Sequence, residues 1–365
     1  MNRRNRVVFI VSFLICIIFF TSCAKSIKKE YSFEDTFDMK LASNIVETYM
    51  KYLTKGETES IKKLYSKDLL KSPVNNENSK LRIWGYNVED KSKIGQSAIF
   101  LIDVSRSYID EPFASLDKYS IKVVKENNEY KISKIDNAVE QEAFVYKNKI
   151  RMKSKDSANT SMIISLKSFP NYVFAKNDEA NLDKLPVPKY NLGIMNFSYD
   201  GSMLGVTTYD KNSYIGVIKI DQSMSVQGNM QDGGQGDSGQ DSQDSEGNQD
   251  VVEKPIGKEI VTLDFLKDSK VNFMEFSKDE KFLAVQYNNK DIGNCIRVYI
   301  IDDGDMIDYE FEEKFPMDKV DIDFSSFDDD VLNFDVVAKK NDDTSVSDII
   351  GKWQLDLIKF KAVRM

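Results

Sequence analysis

Met195-Asn196-Phe197-Ser198-Tyr199-Asp200-Gly201-Ser202-Met203-Leu204-Gly205-Val206 and Met274-Glu275-Phe276-Ser277-Lys278-Asp279-Glu280-Lys281-Phe282-Leu283-Ala284-Val285 are two copies of one pattern. Each reads as a strand, a tight turn opened by Ser-x-Asp, and a returning strand that starts near the leucine. An aspartate in such a turn accepts hydrogen bonds from the backbone ahead of it, so Asp200 and Asp279 read as structural turn residues. Gly201 suits a positive φ; Glu280 departs from it. Further strands ending in aspartate follow at Tyr214–Asp221 and Ile296–Asp302. A third, weaker copy runs from Ile322 to Asp328, with Phe324 in the place of Phe197 and Phe276. The three phenylalanines are separated by 79 and 48 residues, and removing a low-complexity stretch of about thirty residues brings the first interval close to the second, a blade-like period.

This Phe-Ser-x-Asp pattern resembles the repeat of TolB-like and WD-repeat β-propellers. The resemblance implies a mainly-β, reduced or partial propeller-like domain over residues 138–365, offering a binding surface. Between Lys219 and Lys254 there is no basic residue, and glycine, glutamine, serine and aspartate dominate. Too little apolar surface is present there to offset ordering entropy, so residues 222–253 are expected to be a disordered insert between two strands of one blade.

Upstream, Leu41, Ile45, Tyr49 and Leu53 recur every fourth residue, widened by Val46 and Met50, and Gly56 stands where a helix would end. A second helix is expected over Glu59–Leu70. The period then changes to two, giving strands at Leu81–Val88, Ser97–Tyr108, Tyr119–Val124 and Glu129–Ile135. Helix, short helix and antiparallel strands, ending in the hairpin from Lys118 to Ile135, resemble the cone-shaped α+β fold of the nuclear-transport-factor-2-like superfamily over residues 36–137. That resemblance implies a pocket between helix and sheet, with Trp84, Tyr86, Asp103, Arg106 and Tyr108 as its candidate residues. Asp103 interrupts the apolar run Ile99–Ile102 and suits a buried acid with a raised pKa. The alternative places it on the solvent side or against Arg106, and gives Trp84 and Tyr86 to core packing.

The first residues carry a basic start (Arg3, Arg4, Arg6), an uncharged run from Val7 to Phe20 and then Thr21-Ser22-Cys23, the three-part layout of an export signal over residues 1–22. The end of this segment resembles the lipobox of bacterial lipoproteins. The resemblance implies cleavage before Cys23, acylation of its thiol, a tether over residues 23–35 and a place on the extracytoplasmic face of the cell membrane. Loss of three arginines and no acid with that signal would take the net charge from −9 to −12. An acidic body argues against nucleic acid as a partner. With Cys16 removed and Cys23 acylated, Cys295 is alone and is read as a small core residue. The sequence contains no histidine, which excludes Ser-His-Asp and Cys-His catalytic sets. No cofactor or metal site is expected. The expected function is therefore a non-enzymatic, membrane-anchored binding or scaffold module for another envelope protein or polymer; the alternative is an envelope enzyme or small-molecule binder using the pocket around Asp103.

Cys23→Ser should abolish lipid modification and leave the chain either released or held at the membrane as precursor. Mass spectrometry of the wild-type chain tests this, and a free, unmodified Cys23 in the mature protein overturns it.

Overall fold

From Leu81 the alternating sequence lays down strands in chain order, each hydrogen-bonded to the one before it. β1 (Leu81–Ile94), β2 (Ser97–Tyr108), β3 (Phe113–Glu126), β4 (Glu129–Tyr146), β5 (Lys149–Ser154) and β6 (Thr160–Ser165) make one six-stranded antiparallel sheet. Asn127-Asn128 and Lys147-Asn148 turn two of its hairpins at positive φ. Bulges at Ile83/Gly85, Val88/Asp90, Leu116/Asp117 and Lys122/Val123 add twist and curl the sheet into a half-barrel. The computed structural model describes residues 37–72, 80–176, 180, 182–223, 253–340 and 343–365; the signal, Cys23, the tether and most of the insert lie outside them. The chain divides at Asp38, and everything below concerns the unit Met39–Met365.

α1 (Met39–Lys55) packs on β1 to β4 and buries Ala42, Val46, Tyr49 and Met50. This face is rotated from the one expected, since Leu41 is 49% exposed. Gly56, at φ +70°, ends the helix: Glu57 N–H donates to Tyr52 O at 2.9 Å and Gly56 N–H to Leu53 O at 3.1 Å, the paired bonds of a Schellman cap. α2 is only Thr58–Lys62, not Glu59–Leu70. The reason is competition for the backbone. Ile132 of β4 donates to Leu64 O and accepts from Ser66 N–H, both at 2.8 Å, which draws Leu64–Ser66 out of helical geometry and onto the sheet.

The expected cone-shaped α+β domain is not what the first half forms. One long helix meets a sheet that runs through residue 137 within β4 and continues to Ser165. One end of that sheet packs on the next sheet. Ala114, Leu116, Ala143 and Ile150 share a core with Phe197, Leu204, Val206 and Ile218, so the two halves of the chain are joined by one hydrophobic cluster.

After a two-stranded ribbon, β7 (Tyr172–Val173) and β8 (Leu185–Pro186), come three blade-like sheets. The first is β9 (Asn191–Phe197), β10 (Met203–Tyr209), β11 (Ser213–Ile220) and β12 (Gly257–Leu266). The insert thus joins neighbouring strands, β11 and β12. The second is β13 (Ser269–Phe276), β14 (Phe282–Asn289) and β15 (Gly293–Ile300), followed by the short α3 (Phe311–Lys314); the third is β16 (Val320–Phe327), β17 (Val331–Ala338), β18 (Gly351–Asp356) and β19 (Lys361–Arg364). The fold is mainly β, consistent with a partial propeller.

The repeated segments make the same turn twice. Ser198 Oγ and Ser277 Oγ each donate to the aspartate two residues on, Asp200 and Asp279, at 2.7 Å, and each accepts a backbone N–H, from Met203 and Phe282, at 3.0 Å. Gly201 and Glu280 both sit at positive φ. Phe197 and Phe276 pair across the turn with Leu204 and Leu283 and are buried. In the third sheet the residue in that register is Phe327, paired with Leu332, and not Phe324. The copy is displaced by three residues because its turn is two residues shorter: Asp328 N–H closes on Val331 O, where Ser198 closes on Met203.

Polar side chains fasten the sheets to one another. Asn196, before Phe197, donates to Met274 O of β13 at 2.9 Å, and its Oδ1 accepts from Ser105 Oγ of β2. Ser107 Oγ reaches Met195 O. Fully buried Asp264 of β12 accepts from Arg297 Nη1 at 2.7 Å and Tyr299 Oη at 2.8 Å of β15, and Arg297 Nε donates to Glu312 of α3 at 2.8 Å. Gln286 of β14 holds the third sheet, donating to Asp323 at 3.0 Å and accepting from Phe324 N–H at 2.8 Å. Cys295 is fully buried within the second sheet.

Urea unfolding tests this assignment. Phe327→Ala should cost about as much as Phe197→Ala and Phe276→Ala, roughly 3–5 kcal/mol. Asn196→Ala, which strands buried partners on two other strands, should cost about 3 kcal/mol, against about 1 for Asp200→Ala. An Asn196→Ala variant as stable as wild type would show that the bridge carries no weight.

Candidate binding cleft

The residue before the phenylalanine repeated in register lies on the opposite face of its strand from that phenylalanine. In the first sheet it is Asn196, 1% exposed and committed to its neighbours; in the second it is Glu275, 6% exposed. In the third it is Ser326, half-buried and bonded within its own sheet by Asn333. A cleft of about 290 Å³ opens there, between the third sheet and the pair formed by α1 and β1.

One wall is helix and edge strand: Lys51, Thr54 and Lys55 from the last turns of α1, then Trp84, Gly85 and Tyr86 from β1. The other is Ser325 to Asp328, Asn333 to Asp335 and Lys352 to Gln354, with Met365 at the rim. Trp84 Nε1 donates to Ser107 O at 3.1 Å, and its ring lies 4.8 Å from Phe273, which in turn lies 4.8 Å from Phe324. This aromatic run spans β1, β13 and β16. Trp353 donates to Ile349 O at 2.8 Å and stacks on Phe334 at 6.2 Å. Asn333 ties the polar wall together, donating to Ser326 Oγ at 3.1 Å and Asp328 Oδ2 at 3.0 Å and accepting from Gln354 Nε2 at 3.0 Å.

Glu275 contributes to the cleft from β13. Tyr199 Oη donates to its carboxyl at 3.0 Å. Position 85 must be glycine for this pair to fit: a β-carbon there would collide with Tyr199 Oη and Glu275 Oε1. Burial pushes the Glu275 carboxyl up to about 8, against the weaker opposing effects of the Tyr199 bond and Lys278. Burial likewise raises the Tyr86 phenol, with Glu47, Glu275 and Asp328 adding to it. Glu280, half-buried at its positive-φ turn position, accepts from Asp200 N–H at 2.8 Å; burial pushes its carboxyl up to about 7.

Of the residues expected to share a pocket, Trp84 and Tyr86 line this cleft, and Asp103, Arg106 and Tyr108 do not. Asp103 is buried against Lys118 at 3.1 Å, not against Arg106; burial raises its pKa although Lys118 pulls the other way. Arg106 pairs with fully buried Asp117 at 2.5 Å, and the Tyr108 ring sits 5.2 Å from Phe113. Sequence reasoning missed Lys51, Lys55, Glu275, Asn333, Trp353 and Gln354. For Glu275 a signal existed, since the repeat holds a polar residue between two apolar ones that are both buried.

No family model matches this chain, and no curated protein matches it. Among solved structures it is similar to Hsv2 of Kluyveromyces lactis, at 12% identity and a TM-score of 0.29, covering 82% of this chain and 90% of that one. It is also similar to prolyl endopeptidases at 9% identity and 0.27, where it spans only 55% of their length and 90% of this chain is covered. TolB of Acinetobacter baumannii matches at 10% identity and 0.16, over 68% of this chain and 75% of that one. Similarity of this size transfers neither residues nor activity.

The Glu275 shift has a signed consequence. The folded chain keeps this proton up to about pH 8, whereas the unfolded carboxyl releases it near 4.5. Across that window the folded state holds the extra proton, so its stability falls as pH rises. Glu275→Gln, neutral throughout and still able to accept from Tyr199, should gain on wild type by up to about 1.4 kcal/mol per pH unit between pH 5 and 8. Parallel stability curves for the two proteins in urea would contradict this.

Proposed function

We propose that this chain is an extracytoplasmic lipoprotein, anchored through acylated Cys23, that binds an envelope partner in the cleft between α1, β1 and the third sheet. It acts as a binding or scaffold module and not as an enzyme. The observation that carries the reading is the fate of one repeated position. Asn196 and Glu275 bond across to neighbouring sheets, while Ser326 is bonded only within its own sheet, by Asn333, and lines the cleft opposite Trp84, Gly85 and Tyr86 of β1. Aromatic rings with a few convergent polar groups in a concavity are the usual makeup of a binding site. The alternative, an enzyme or small-molecule binder centred on Asp103, has less support, because Lys118 holds that carboxylate and it lies away from the cleft. The sequence also lacks histidine.

A photo-crosslinking residue placed at exposed Lys55 should capture a defined envelope component in intact cells, and the same residue at Tyr190, 96% exposed and outside the cleft, should not. Equal capture at both positions, or none at Lys55, would count against the cleft.

A further inference from the structure

We infer that the cleft takes a saccharide unit bearing an acidic substituent, with its ring against the tryptophans and its charge against the lysines of the rim; this rests on the cleft being the binding site proposed above. The aromatic lining is the first observation. The chain has two tryptophans, and both Trp84 and Trp353 line this cleft. Each indole N–H is already bonded to a backbone carbonyl, of Ser107 and Ile349, so the rings have carbon surface and no free donor to offer. Pyranose rings present C–H faces that pack on such surfaces while their hydroxyls turn to polar neighbours.

The polar neighbours are present. Gln354 uses Nε2 on Asn333, which leaves its carbonyl oxygen for a ligand hydroxyl, and Ser325 adds a hydroxyl at the same wall. A volume of about 290 Å³ lies at the lower end of the range for ligand pockets, too small for a folded partner and suited to one unit of a polymer.

Charge gives the substituent. The chain as a whole is acidic, at −9, yet Lys51 and Lys55 on one wall face Lys352 on the other, all three exposed and none in an ion pair among the described residues. Of the acids in the lining, Asp328 is bonded by Asn333 on the polar wall, Asp335 is the cross-strand neighbour of Lys352, and Glu275 is buried against Tyr199, so exposed Lys51 and Lys55 stand on the wall opposite Asp328 and Asp335. A carboxylate or a phosphate on the sugar would meet these two lysines.

Because both tryptophans of the chain line the cleft, intrinsic fluorescence of the full-length chain in detergent micelles reads occupancy directly. The probes are tetragalacturonate for the carboxylate, maltotetraose 6-phosphate for the phosphate, maltotetraose as the neutral sugar and tetraglutamate as the acidic peptide. At least one acidic tetrasaccharide should shift the emission and bind tenfold or more tighter than maltotetraose, and which one does so identifies the acid. Lys51→Glu and Lys352→Glu, both at exposed positions, should each weaken that binding at least tenfold, with circular dichroism unchanged. Silence with every tetrasaccharide overturns the inference, as does equal binding of maltotetraose, or binding of tetraglutamate alone. If this fails while crosslinking from Lys55 still captures an envelope component, only the ligand class is wrong; failure of both removes the cleft as the site.

Discussion

A single buried amide joins three sheets. Asn196 lies on β9, donates to the backbone of β13 and accepts from Ser105 on β2, with Ser107 bonding to the backbone beside it. A buried amide costs heavily when its partners are missing and is satisfied only when they are all in place, so it fixes position as well as adding stability. Apolar packing brings the curled sheet onto the first blade, and the buried amide ties the two to β13 at one point. With Asn196 seated, Leu116 and Ala143 meet Phe197 and Leu204 in one arrangement, and β13 is set at a defined angle to both.

The later contacts follow from that placement. Once β13 lies beside β1, Tyr199 and Glu275 occupy the space above Gly85, and Phe273 fills the gap between Trp84 and Phe324. The third sheet is then held from the second through Gln286 and through Asn294 N–H, which donates to Asp321 at 2.8 Å. What stands opposite is the end of α1 and the edge of β1, and the cleft is the space that these unlike surfaces leave between them.

The turns were legible in the sequence because their chemistry is local. Serine, aspartate and a positive-φ residue within four positions specify the turn wherever it stands, and Ser198–Gly201 and Ser277–Glu280 fold alike although Glu280 lacks the glycine. The third copy was misread by three residues for the same reason: without the Ser-x-Asp turn nothing local distinguishes Phe324 from Phe327, and only pairing with Leu332 does. Likewise the helix expected to reach Leu70 stops at Lys62, because a strand 70 residues later in the chain takes its backbone bonds at Leu64 and Ser66.

By itself the sequence determined the repeated turns, the helix stop at Gly56 and the burial of Phe197 and Phe276, all set by neighbours within a few residues or by hydrophobic alternation. Tertiary structure alone decided which face of α1 is buried, that Asp103 meets Lys118, that both halves share a core, and that Lys51, Trp84, Glu275, Asn333 and Trp353 border one cleft. Those relations join residues tens to hundreds of positions apart. They depend on how whole sheets pack, and side-chain pattern along one strand carries no information about which sheet will come to lie against it.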